Sequence, residues 1–176
     1  PGCIFVCVVG AVSDGHSYLP DVTAKGASVV VVEHDVKVPA DVTVLKVSNS
    51  RLALAELSAA WFGHPAEKLT TIGVTGTKGK TTTTYMMRQM MEHAGLKTGL
   101  IGTIEIIIGE EHIHAVNTTP ESYLVQEYFR RMVDAGLKYV VMEVSSQALK
   151  LERVGGFTFD YGIFTNLEED HIGPGE

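Results

Sequence analysis

A chain of 176 residues, 45% hydrophobic and 20% charged, has room for one or two small domains with a real core. Its formal net charge of −7 excludes a nucleic-acid partner held by bulk electrostatics, so any phosphate must be bound by a local device. No stretch reaches the roughly 18 consecutive apolar residues of a membrane span. Cys3 and Cys7 lie four apart in an apolar run, too few for a disulfide framework. They read as buried thiols in a reducing compartment, and hence as a cytoplasmic protein. The chain opens inside an apparent strand, "PGCIFVCVVG", and stops at "DHIGPGE" without a terminating signal, so it reads as a fragment.

Residues 1–69 read as one small α/β unit. "CIFVCVV", "SVVVVEH" and "VTVLKV" are its strands, and "SYLPDVTAKGA" is a short helix ended by a glycine turn. Ser48 or Asn49 can cap the helix "SRLALAELSAAWFG", which Gly63 and Pro65 end, and "HPAEKL" reads as a linker. From Thr70 the pattern starts afresh, so residues 70–176 form a second domain. "TTIGVTG" is a strand, followed by a glycine-rich turn and then a helix whose Met86, Met87, Met90, Met91 and Ala94 are expected to face the core. "KTGLIGTIEIII" reads as one strand, with "GEE" turning into "HIHAV". Thr119 is expected to cap a helix through "ESYLVQEYFRRMVDAG", with Pro120 in its first position. "KYVVMEV" is a buried strand, "SSQALKLERVGG" a loop with some helix, and "FDYGIFTN" a last strand. The expected fold class is therefore α/β: a small N-terminal domain, then a mostly parallel P-loop-type sheet with helices on both faces, incomplete as given.

In such sheets ligands gather at the carboxyl ends of the strands, and four stretches fall there. The first is "GVTGTKGKTTTT". Gly76 and Gly79 let the backbone approach a phosphate, and the following helix points its free N–H groups and positive dipole end at the anion. Lys80 can neutralise terminal phosphates, and the Thr81 hydroxyl can bind Mg²⁺. The spacing departs from G-x-x-x-x-G-K-[ST]: five residues separate Gly73 from Gly79, and two separate Gly76 from Gly79. The second stretch is "MEVSS", where Glu143 ends an apolar strand and could hold the same Mg²⁺; a capping or salt-bridging glutamate is the alternative. The third is "TNLEEDHIGP", whose His171 follows acidic residues just beyond a strand end. The fourth is "NTTPE", where Thr118 and Thr119 offer hydroxyls to an anionic substrate.

"TIGVTGTKGKTTTT", "NTTPE", "MEVSSQALKLERV" and "FTNLEEDHIG", in this order and spacing, resemble the Mur ligases of peptidoglycan synthesis, most of all the branch that adds the third residue of the stem peptide. The N-terminal "PGCIFVCVVGAVSDGHSYLPDVTAKGASVVVVE" resembles the UDP-binding domain of that branch. The resemblance implies an ATP-dependent ligase that activates a carboxylate as an acyl-phosphate, with Mg²⁺ as cofactor and UDP-N-acetylmuramoyl-dipeptide and an amino acid as substrates. It implies that Gly76, Thr77, Lys78, Gly79, Lys80, Thr81 and Thr82 hold the ATP phosphates, with Lys80 on the terminal ones. Thr81 and Glu143 would ligate one Mg²⁺ and His171 a second, so that Lys80, Glu143 and His171 carry the chemistry. Asn117, Thr118, Thr119, Ser145 and Arg153 would contact the muramoyl-peptide, and the turn Gly10, Ala11, Val12, Ser13, Asp14, Gly15 would cradle the uridine diphosphate.

The sequence departs from the family where Lys78 replaces a frequent asparagine and where Ala11 and Val12 replace side chains that are often polar. An upstream Asp-Ser-Arg stretch, a carbamylated lysine and the amino-acid-binding domain of the family have no counterpart within these 176 residues. The chain as given is accordingly expected to bind without turning over. Folylpolyglutamate and cyanophycin synthetases share the loop and the chemistry but not the preceding uridine-type domain. A nucleotide-binding module that does not catalyse would need neither Glu143 nor His171.

Overall fold

The valine run of residues 29–32 is β-branched throughout and has no turn residue, and it forms the middle strand of the first sheet. A computed structural model describes residues 2–10 and 13–169. Packing divides the chain into two compact units between Leu54 and Ala55. In the first unit, β1 (Cys3–Val6), β2 (Ala27–Val32) and β3 (Thr43–Lys46) pair in parallel in the order β1-β2-β3. Val30 and Val32 pack with Cys7 and with Leu19 of helix α1 (Leu19–Ala24). Burial pushes the Cys7 thiol above its ordinary range. Cys3, at the start of an edge strand, is exposed, so the expectation of two buried thiols holds only for Cys7. Helix α2 (Ser50–Trp61) is capped by Asn49, whose side chain accepts from the Leu52 amide at 3.0 Å.

The second unit is built on a six-stranded sheet in the order β7-β6-β5-β8-β4-β9. Strands β4 (Thr70–Thr75), β5 (Thr98–Ile101), β8 (Tyr139–Glu143) and β9 (Tyr161–Phe164) run in parallel. β6 (Glu105–Ile108) and β7 (Glu111–His114) extend the sheet antiparallel. The stretch expected to be one strand through Ile108 thus breaks after Ile101 and reverses over Gly102–Ile104. Side chains alternate between the two faces as a pleated sheet requires. One face buries Ile72, Val74, Leu100, Ile107 and Val141 against helix α3 (Lys80–His93). The other buries Ile101, Ile106, Val140 and Met142 against Val125, Phe129 and Met132 of helix α4 (Ser122–Asp134).

Two local expectations are corrected. On α3 the core-facing side chains are Thr84, Met87 and Met91, at spacings of three and four, whereas Met86 and Met90 are 57% and 68% exposed and Ala94 is exposed as well. Five apolar residues at helical spacing had suggested one stripe, but they span more of the helix than the sheet can cover. Helix α4 begins after Glu121, and Thr119 is not its cap. The Thr119 hydroxyl serves a tertiary contact described below.

Phe129 is fully buried and meets Phe157 edge-on at 5.0 Å between ring centroids. Phe129→Ala should therefore destabilise the second unit by about 3–5 kcal/mol. Met90→Ala should change stability by no more than about 0.5 kcal/mol. Urea denaturation followed by tryptophan fluorescence and far-UV circular dichroism measures both, and equal losses would contradict the facing of α3.

Candidate functional site

The parallel pairing of β4 with β8 sets Val74 opposite Glu143 and brings the carboxyl ends of the two strands side by side. From the end of β4 the chain turns through Gly76, Thr77, Lys78 and Gly79 into α3. Gly76 has φ +134°, and a Cβ there would lie 2.2 Å from Thr165 Oγ1, so a larger residue is excluded. Gly79 has φ +84° and stands at the N-cap of α3. The first intrahelical bond runs from the Thr83 amide to the Gly79 carbonyl, which leaves the Lys80, Thr81 and Thr82 amides ahead of the ladder. Lys80 Nζ folds back over the loop, donating to the carbonyls of Gly76 at 2.7 Å and Thr77 at 3.1 Å. A helix start with free amides and a lysine beside it has the chemistry to receive an anion. The Lys78 ammonium, by contrast, leaves the loop and pairs with Glu168 at 2.5 Å.

Glu143 is wholly buried at the end of β8. Its Oε2 accepts hydrogen bonds from Thr81 Oγ1 at 2.9 Å and Thr103 Oγ1 at 3.0 Å, and its Oε1 accepts from the Thr103 amide at 2.9 Å. These partners are neutral donors. A buried carboxylate held only by neutral groups is costly and suits a cation brought by a ligand. The Thr81 hydroxyl on one of its oxygens marks where such a cation would sit between the two, so the donor set fits Mg²⁺, which takes oxygen ligands. Gly102 is required here, because a Cβ would fall 2.6 Å from Glu143 Oε1. Thr103 and Gly102 were missed in the sequence because "KTGLIGTIEIII" reads as one unbroken strand. The signal was Gly-Thr at a strand's carboxyl end. His171 lies outside the described residues.

Thr118, Thr119, Ser145 and Arg153 gather around the same strand end. Thr118 Oγ1 lies 3.2 Å from Thr103 Oγ1, within hydrogen-bonding distance. Thr119 Oγ1 donates to the Glu143 carbonyl at 2.9 Å and accepts from the Ser145 amide at 3.0 Å, which ties its loop to β8. Ser145 Oγ caps helix α5 (Ser146–Lys150) by accepting from the Ala148 amide. Arg153 donates to the Thr119 carbonyl at 3.1 Å and pairs with Glu121 at 2.6 Å. Asn117 is exposed on a bend just before Thr118.

In the first unit the uridine-type turn is closed by bonds from the Gly10 amide to the Ser13 carbonyl and from the Gly15 amide to the Val8 carbonyl. Gly15 admits no side chain, since a Cβ would lie 2.7 Å from the Val8 nitrogen. Ala11 and Val12 lie outside the described residues. Asp14 accepts from the His16 amide at 2.9 Å and bonds its ring Nδ1 at 2.6 Å, and these contacts hold the Asp14 carboxyl below its ordinary range. His34 stacks on His16, and Asp14, His16 and His34 offer ligand atoms within 4.8 Å of one another. They do not make a preformed metal centre. His16 Nε2 accepts from the Glu33 amide, so Nδ1 carries the proton given to Asp14 and neither ring nitrogen is left for a metal. This cluster latches the turn.

The family model of the Mur ligase middle domain matches residues 74–175. The UDP-N-acetylmuramoyl-L-alanyl-D-glutamate–2,6-diaminopimelate ligase of Clostridium perfringens is 52% identical over 97% of this chain and 35% of its own. The ligase of the same name from Geobacillus kaustophilus is 47% identical over the same shares. A solved structure of a UDP-N-acetylmuramoyl-L-alanyl-D-glutamate–2,6-diaminopimelate ligase superposes with a TM-score of 0.77 at 22% identity, over 92% of this chain and 33% of that one. The chain therefore spans about a third of the length of the relatives it matches. With a middle-domain match over more than half its residues, on a glycine-rich loop facing a buried glutamate, this chain belongs to the Mur ligase family.

Proposed function

We propose that the chain forms the nucleotide-binding part of an ATP-dependent ligase that joins an amino acid to UDP-N-acetylmuramoyl-dipeptide in peptidoglycan synthesis, in the cytoplasm. The observation that carries this reading is the contact of Thr81, first turn of the helix after the loop, with the buried carboxylate of Glu143. In this reading residues 70–176 bind ATP and residues 1–69 bind the uridine diphosphate through Gly10–Gly15. The free amides from Gly79 to Thr82 receive the phosphates, and Lys80 swings from the Gly76 and Thr77 carbonyls onto the terminal ones. Thr81 and Glu143 would hold Mg²⁺, which when bound would supply charge neutralisation at the phosphates. His171 is the proposed second metal ligand.

A bare carboxylate is a poor acyl donor, which is why the reaction consumes ATP. The γ-phosphoryl group passes to the dipeptide's terminal carboxylate and ADP leaves. The incoming amine then attacks the acyl-phosphate carbon, inorganic phosphate leaves with the electrons of the broken C–O bond, and the amine nitrogen gives up a proton to solvent. Thr118 and Arg153 orient the carboxylate-bearing substrate, while Thr119 and Ser145 hold the loops that carry them. Arg153 would exchange its ion pair with Glu121 for one with the substrate. The chain's share of the catalysis is positioning and electrostatics.

Lys80→Ala should reduce ATP binding to below detection, whereas Lys78→Ala, which removes only a surface pair with Glu168, should weaken it by less than about threefold. Isothermal titration of the two variants with ATP and Mg²⁺ checks this, and equal losses would contradict the division of roles. Glu143→Ala should abolish the part of ATP affinity that depends on Mg²⁺ and leave the metal-free part, while His171→Ala should spare both. Titrations with and without EDTA separate the two. A Glu143→Ala variant that still responds to Mg²⁺ would remove the carboxylate from the metal site.

A further inference from the structure

The segment after β9 grips the phosphate loop along residues 75–78. Thr165 Oγ1 donates to the Lys78 carbonyl at 2.8 Å and to the Thr75 carbonyl at 3.2 Å. The Asn166 carbonyl accepts from the Thr77 amide at 3.0 Å. Its side chain then closes on one residue from both sides: Oδ1 accepts from the Lys78 amide at 3.0 Å, and Nδ2 donates to the Lys78 carbonyl at 3.1 Å. Glu168 adds a main-chain bond to Thr77 Oγ1 at 3.0 Å and its ion pair with Lys78.

A carboxamide is the side chain that presents an acceptor and a donor in one plane, so it can satisfy both the N–H and the C=O of a single residue. The consequence is a division of the loop. The Thr77 and Lys78 amides are consumed by the 165–168 segment, and the amides that remain for an anion begin at Gly79. Gly76 allows the approach, since a side chain there would strike Thr165 Oγ1 and the Asn166 carbonyl. The exposed Lys78–Glu168 pair is screened by solvent and contributes little by comparison.

From this we infer that Asn166 is a positioning residue for nucleotide binding, which sets the arc of the phosphate loop by holding both peptide groups of Lys78. The inference rests on the nucleotide-binding reading given above. Asn166 acts through Lys78 on the amides that follow. Without it, the Lys78 amide loses its partner and only the Thr165 hydroxyl still holds the Lys78 carbonyl, so the loop gains freedom that it must lose each time it binds.

The test uses this chain and its Asn166→Ala, Asn166→Asp and Glu168→Ala variants. A fluorescent ATP analogue is titrated with Mg²⁺, thermal melting is recorded, and exchange of the Lys78 amide is followed by NMR. Asn166→Ala should weaken binding roughly tenfold, the loss expected when the two hydrogen bonds that hold the Lys78 peptide groups go. Its melting temperature should stay within a few degrees of the parent, and its Lys78 amide should exchange faster. Asn166→Asp keeps the shape but lacks the donor, and should also bind more weakly. It decides the matter if the alanine variant fails to fold. Glu168→Ala should bind within about twofold of the parent. Parent-like affinity in both Asn166 variants would overturn the inference, as would a loss in Glu168→Ala equal to theirs. A parent chain that does not bind the analogue would instead overturn the nucleotide-binding reading, and this inference with it.

Discussion

Everything at the site depends on the register of two parallel strands. Because Val74 of β4 lies opposite Glu143 of β8, the turn that leaves β4 and the acid that ends β8 emerge at the same height. Thr81, in the first turn of α3, is then within hydrogen-bonding distance of a fully buried carboxylate. Parallel sheets place all their strand ends on one side, so the loops after β4, β5, β8 and β9 converge without any one of them being long. A shift of the β8 register by one residue would turn the Glu143 side chain to the opposite face and dissolve the site.

Around that register the neighbouring loops fill distinct needs. The β5–β6 turn supplies Thr103, whose amide and hydroxyl fix both oxygens of Glu143. The loop before α4 supplies Thr119, which staples the Glu143 carbonyl to the Ser145 amide. The segment after β9 braces the outer half of the phosphate loop. Three glycines answer three separate steric demands: Gly76 against Thr165, Gly79 at a positive φ, and Gly102 against the carboxylate. Such precision suits a site whose work lies in placing charges and excluding wrong geometries.

Much of this was legible in the residues themselves. Strand and helix alternation, the Gly-Lys-Thr turn and an acid ending an apolar strand follow from local pattern, and each is found in its expected place. Elements decided by tertiary contact were not legible. Thr119 has the chemistry of a cap, but its hydroxyl accepts from the Ser145 amide instead of a helix amide and gives its proton to the Glu143 carbonyl. The break after Ile101 shows no turn signal beyond Gly102, because what fixes it is a carboxylate forty residues away in sequence. The methionines of α3 all fit a helical stripe, and only the width of the sheet beneath decides that Met87 and Met91 are covered while Met86 and Met90 are not. Asn166 stood inside a recognised motif without a role until its amide was seen to close on Lys78.

The central claim, that Thr81 and Glu143 hold the metal of a bound nucleotide, is tested most directly by paramagnetic NMR with Mn²⁺ in place of Mg²⁺. Adding ATP with substoichiometric Mn²⁺ to isotopically labelled protein broadens the resonances nearest the ion. The account predicts the strongest broadening at the amides of Gly79–Thr82, Thr103 and Glu143, dependent on ATP, with Asp14 and His34 unaffected. Broadening centred on Asp14, His16 and His34, or none that depends on ATP, would contradict it.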